Sequence, residues 1–183
     1  VRARGTDLEG SDLTRADLTG AQLVGADLQG AQLQDATLVE ADLSKACLVD
    51  VQMDQADLSR AKLVEARLEQ VRGEKVQLEG AALSRADLRG AQLDGAWQKL
   101  VLVEADLRGL DLSALSLQAC VLARADLRGA RLPRRMIQCV FDDARLGAIA
   151  AAPAGEAGRG LSPRGPGGAP RGGLGPGGGV PPP

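Results

Sequence analysis

The chain has 183 residues, a net charge of −2, no histidine, no tyrosine, one Trp and one Phe. Lacking histidine, it lacks the commonest general base and the commonest metal ligand, and the near-neutral charge gives no strong pull toward nucleic acid or anionic membrane. No run of about 18 apolar residues is present, so no membrane span is expected.

The charge is unevenly placed. Residues 1–60 hold eleven acidic and five basic side chains, a net −6, whereas residues 61–150 hold twelve acidic and fourteen basic, a net +2. Cys47, Cys120 and Cys139 are odd in number with no close pair in sequence, which suits packing roles in a reducing compartment such as the cytoplasm rather than a disulfide framework. No signal peptide is visible, and Val1 already stands in phase with the periodic pattern of the chain. A fragment of a larger polypeptide is therefore one expectation.

Residues 16–33 read ADLTG AQLVG ADLQG AQL, a five-residue unit of alanine, polar residue, leucine and two variable positions. On an α-helix five residues turn about 500°, so successive leucines would spiral around the axis. On a flat strand an odd step would send every second leucine to solvent. All leucines share one side only if the chain bends once per unit, which winds it into a solenoid with leucines inside.

Centres fall in fives from Leu8 to Leu93, and sixteen of these eighteen are Leu; Met53 and Gly73 are the exceptions. Leu18, Leu23, Leu28, Leu33, Leu88 and, later, Leu127 typify the expected core. A small residue, mostly alanine, stands two before each centre and points inward as well. Gly10, Gly20, Gly25, Gly30, Gly80, Gly90 and Gly95 stand two after a centre, where a turn can require positive φ. Asp7, Asp17, Asp27 and Asp87 precede centres, where a short carboxylate can accept a nearby backbone N–H and form the turn.

The phase slips near Trp97, since Leu102 follows Leu93 by nine residues rather than ten. Spacing in fives then runs through Leu132 to Ile137, and a second shortening takes Ile137 to Phe141. Both aromatics thus stand at slips. Trp97 either fills an irregular corner or is an exposed anchor for a partner. Leu100, Leu110 and Leu115 replace the small alanine, so either the core widens or an apolar patch reaches the surface; these four residues are the candidate partner contacts. From residue 147 the chain is nearly all Gly, Ala, Pro and Arg, and a disordered tail is expected over residues 147–183.

Tandem A(D/N)LXX units covering Thr6 to about Leu146 resemble the pentapeptide repeat family. The resemblance implies an all-β fold, a right-handed quadrilateral parallel β-helix over residues 1–146 with four units per coil. About 29 units then make about seven coils and a rod of about 34 Å. Residues twenty apart would stack, leaving Gly73 between Met53 and Leu93; Met53, Val51 and Val71 are expected to lean into the gap, which unfilled would cost about 2–4 kcal/mol.

Some family members resemble duplex DNA in charge and bind type II topoisomerases. That role needs a sustained acidic stripe. The residues preceding the centres of one face are Asp7, Asp27, Cys47, Arg67 and Asp87, which do not make one. An enzyme is not expected: the carboxylates follow the five-residue period, and no nucleophile–base pair can be built without histidine. The expected function is a rigid, non-catalytic protein-interaction or scaffold module. It would have no cofactor, metal, small-molecule substrate or direct nucleic-acid binding, and its partner would be a protein not identified by the sequence. Topoisomerase-directed DNA mimicry is the alternative. The N-terminal coil shows no cap; Met136, Val140, Phe141 and Ile149 could cap the C-terminal end or form a homodimer contact there.

Overall fold

The computed structural model describes residues 4–147. Ile149 and the tail beyond Gly147 lie outside the described residues. Each leucine-centred unit contributes one short parallel bridge, and the register repeats every twenty residues: Asp7 pairs with Asp27, Asp12 with Gln32, Asp17 with Thr37 and Gln22 with Asp42. Four units therefore close one coil, and seven coils stack into a quadrilateral solenoid. The faces are numbered here from the units centred on Leu8, Leu13, Leu18 and Leu23.

Backbone hydrogen bonds between coils hold the stack. Leu28 N donates to Cys47 O at 2.8 Å, and Cys47 N donates to Ala26 O at 2.9 Å, a pattern repeated at almost every centre. Within a coil, the small residue of the next unit donates back to the preceding leucine carbonyl, as Ser11 N does to Leu8 O at 3.1 Å. That bond closes a type II turn, whose third residue needs positive φ. Gly10 supplies it at 63°, but seventeen non-glycine residues adopt φ of 53–61° at other described positions. The ladder on either side over-determines these corners, so residues that would ordinarily avoid the left-handed region accept it.

The core holds leucine and alanine in stacked columns, and among the described residues it contains no buried charged or polar residue. Leu8, Leu13 and Leu18 at the N-terminal coil are only half-buried.

Among the described residues, strands longer than a single bridge occur only in the column of Gly73 and in the column of Trp97. β1 (Arg72–Gly73) pairs with β2 (Gln92–Leu93); β3 (Ala96–Gln98), β4 (Ser116–Gln118) and β5 (Arg135–Ile137) form a second parallel sheet. Trp97 aligns with Leu117, and Leu117 with Met136. The ring of Trp97 thus occupies a leucine position, reached in a four-residue step from Leu93. Ala82 pairs with Val101 and Asp87 with Asp106, so this coil has nineteen residues. The second slip differs from its expected place. Met136, not Ile137, is the centre, and the short step runs from Leu132 to Met136. Ile137 points outward at 37% exposure. Both shortened steps cut the same corner, between the second and third faces.

The gap at Gly73 is filled, partly as expected. Met53 is buried, and a Cβ added at Gly73 would meet Met53 Cγ at 2.9 Å. The nearest contact is Val76 Cγ2 at 2.5 Å. Val76, in the small position of the next unit, enters the space beside Met53, a filler the sequence reading did not name. A second glycine lets the backbones approach here: a Cβ on Gly95 would lie 2.7 Å from the Val76 carbonyl oxygen.

Candidate interaction surface

With the described leucines packed in or against the core, specificity falls to the outward positions just before and after each centre and to the corners. Many aspartates before centres are consumed locally. Asp7, Asp17, Asp27 and Asp87 each accept the backbone N–H two residues on, at 3.0–3.1 Å. They are turn-formers, each with one carboxylate oxygen directed back at the chain.

Many of the other described charges pair, across coils or within a unit. At the corner after the fourth face, Lys45, Glu65, Arg85, Glu104 and Arg124 alternate in sign, with successive N···O separations of 3.6, 3.7, 2.8 and 3.0 Å. On the first face, Arg89, Arg108 and Arg128 each bond the aspartate of their own unit through Nε, at 2.9, 2.9 and 2.8 Å. Arg89 also approaches Asp106 at 3.7 Å and Arg108 approaches Asp126 at 4.0 Å, which links the units. Hydrogen bonding from Arg128 is the largest cause holding Asp126 down to about 2, against an ordinary 3.8. Each exposed pair stabilises little. Together they neutralise the acidic face over the C-terminal half of the rod.

The sequence candidates sort by burial. Trp97 is 2% exposed, so it is a core residue; the reading of it as an exposed anchor is corrected, because a ring enclosed by the coil offers a partner no surface. Its carbonyl accepts a bond from the Cys120 thiol at 3.2 Å, and its indole N–H is buried without a partner. Leu100 and Leu110 are buried, and Leu115 is 7% exposed, so the core widens here rather than opening an apolar patch. Met136 and Phe141 are half-buried against the core, and Val140 is 41% exposed. A shallow groove of about 730 Å³ runs beside the filled gap, lined among others by Arg72, Gly73, Gln92, Gly109 and Leu115.

A different apolar surface stands on the fourth face. The outward residue before each centre runs Gln22, Asp42, Lys62, Ala82, Val101, Val121 and Val140, stacked in one continuous register. Val101 is 36% exposed, and Ile137, three residues before Val140 in the chain, is also exposed. Sequence reasoning counts Val140 only among the cap or homodimer contacts of the C-terminal end. The signal is the change of one outward column from polar to valine, visible once the column is read at its twenty- and nineteen-residue spacings.

The register also brings two cysteines together. Val121 bridges Val140, and Val140 N donates to Cys120 O at 2.9 Å, so Cys139 stacks on Cys120 in adjacent coils. Distant in sequence, they are neighbours in the fold. Among the described residues no group of three metal-ligating side chains is found, and no helix is long and apolar enough to cross a membrane.

Comparison with known proteins places this geometry. The profile described as Pentapeptide repeats matches in eight copies, over residues 4–38, 36–72, 61–96 and 101–134. The chain belongs to the pentapeptide repeat family, whose right-handed quadrilateral β-helix is the fold just described. A trypsin-treated form of QnrB1, titled a plasmid-mediated fluoroquinolone resistance protein, is similar with a TM-score of 0.57 and 16% identity, over 81% of this chain and 78% of that one. HetL, a pentapeptide repeat protein involved in heterocyst differentiation regulation in Nostoc sp. strain PCC 7120, is 27% identical over 80% of this chain and 87% of its own, with a TM-score of 0.33. Rfr23 from Cyanothece 51142 is 26% identical over 77% and 91%, with a TM-score of 0.30. No curated protein sequence matches the chain.

Proposed function

We propose that this chain is a non-catalytic interaction module that presents one apolar row on an otherwise charge-paired rod to a protein partner. The observation that carries the reading is the outward column Val101, Val121 and Val140, with Ile137 exposed three residues before Val140. Outward valines stacked at about 4.8 Å make a narrow, straight strip that water solvates poorly. A partner strand or helix edge with matching apolar residues would bury it, and the rigid coils beneath would hold it in place without ordering cost. The setting this reading expects is the cytoplasm. Of the candidate contacts from the sequence, Leu110 and Leu115 border the groove beside Gly73 and serve it as a floor rather than as anchors.

The alternative, a duplex-like acidic binder of a type II topoisomerase, finds less support, since arginines pair with Glu65, Glu69, Asp87, Glu104, Asp106, Asp111 and Asp126. Half-buried Met136 and Phe141 keep a second copy at the C-terminal end as a further candidate partner. Light scattering at two concentrations separates a dimer from a monomer.

The contact row is tested by placing a photo-cross-linking amino acid at position 101 or 140 and, as control, at position 62 of the same face, in native host cells. Discrete protein adducts from 101 and 140 but not from 62 are expected. Equal adducts from position 62, or none from the row, would refute the assignment.

A further inference from the structure

We propose that Cys120 and Cys139 form an oxidant-driven modification site, a dithiol that closes to a disulfide between adjacent coils. The assignment rests on register, independently of the contact-row reading. In-register residues of neighbouring parallel strands lie about 4.8 Å apart, inside the Cα range of about 4.4–6.8 Å that a disulfide spans. Both side chains point into the same inward column, the one that holds Ala81 and Leu100 in the preceding coils.

The two sites differ in the way a sequential reaction needs. Cys139 is half-buried and reachable from solvent, whereas Cys120 is enclosed. Burial pushes the Cys120 thiol up, and the adjacent Cys139 side chain adds to the rise, so Cys120 stays a protonated thiol until Cys139 is oxidised. The accessible Cys139 thiolate attacks a peroxide, breaking the O–O bond; Cys139 becomes a sulfenic acid and hydroxide leaves. The Cys120 sulfur then attacks the Cys139 sulfur, the S–O bond breaks, and the second oxygen leaves as water. Two thiols and one peroxide give one disulfide and two waters, each sulfur losing one electron and each peroxide oxygen gaining one.

Stacked side chains hold their Cβ atoms near the strand spacing, slightly beyond the usual disulfide Cβ separation of about 3.5–4.5 Å. Closing the bond therefore draws the coil of Cys139 toward its neighbour by several tenths of an ångström. Among the described residues no further coil stacks on Cys139. The bond would fasten the last coil, and with it Val140, onto the coil of Val121.

The full chain, reduced and then treated with stoichiometric hydrogen peroxide, should yield tryptic peptide 109–124 linked to peptide 136–145 with loss of two hydrogens, and Cys47 should remain alkylatable in peptide 46–60. The oxidised chain should melt roughly 5–10 °C higher, as expected for closing a loop of about twenty residues. Dithiothreitol should reverse the shift, and Cys139→Ser should abolish it. Sulfinic or sulfonic acid on Cys139 with the Cys120 thiol intact would overturn the proposal. So would disulfides formed only between chains.

Discussion

Replacing Gly73 by leucine, the residue that fills this column at Leu13, Leu33 and Leu93, should destabilise the protein even though it restores the repeat. A Cβ at Gly73 would stand 2.5 Å from Val76 Cγ2 and 2.9 Å from Met53 Cγ. Carbon atoms in good contact lie about 3.5–4.0 Å apart, so about an ångström of overlap must be relieved before the rest of the leucine is placed. Met53 is unbranched and can yield; Val76 is β-branched and stiff about χ1, so the strain falls mainly on the Val76 corner. Overpacking of this kind costs about 1–3 kcal/mol, equivalent to a fall of roughly 3–10 °C in the unfolding midpoint for a domain of this size. Thermal melts followed by circular dichroism measure it. Val76→Ala should relieve the clash, so the double variant should be less destabilised than the sum of the two single variants by about 1 kcal/mol or more. A Gly73→Leu protein that melts at or above the parent would refute the filled gap and show a true void instead.

Leu88→Arg should unfold the coils around it, because it forfeits about 2 kcal/mol of leucine burial and places an unpaired charge in an apolar column. Arg89→Ala should leave stability almost unchanged, since its carboxylate pairs are at the surface; denaturant titration of both variants compares them. Ala119 holds φ at 54°. Ala119→Gly should stabilise by about 0.5–1 kcal/mol, the left-handed strain released exceeding the added chain entropy; a lower melting point would contradict this. Acid should weaken the fold through Asp126, whose folded pKa of about 2 lies below the ordinary 3.8. Its contribution is full above the unfolded value and is lost as pH falls toward the folded one. Melting points taken from pH 5 down to 2 should fall in the parent and fall less in Asp126→Asn; an equal decline in the two would remove Asp126 from the account.

The solenoid and its leucine core are legible in the sequence because one residue type in five decides which side of the chain is dry. Four faces are not: any uniform bend keeps leucines inside, and closure at twenty residues comes from family resemblance and then from the bridge register. The slips show where counting stops. Met136 and Ile137 are both apolar and adjacent, and only pairing with Leu117 decides which one enters. Trp97 poses the same ambiguity, since its size suits either a partner or the space at a shortened corner. Val76 escapes a reading by columns, which seeks fillers above and below Gly73, whereas packing fills the gap from the next corner. The outward valines and the Cys120–Cys139 pair depend on two nineteen-residue steps, each of which moves the neighbours across it by one.

The central claim is that the irregularities are absorbed inside the coil, leaving the outward positions to provide specificity. Trp97 reports on it without interference, because it is the single tryptophan and the chain has no tyrosine. Its fluorescence in the folded protein should be blue-shifted, with almost no quenching by acrylamide, and should shift red on unfolding. Emission typical of a solvated indole in the native protein, with quenching as strong as in denaturant, would place Trp97 outside and contradict the account.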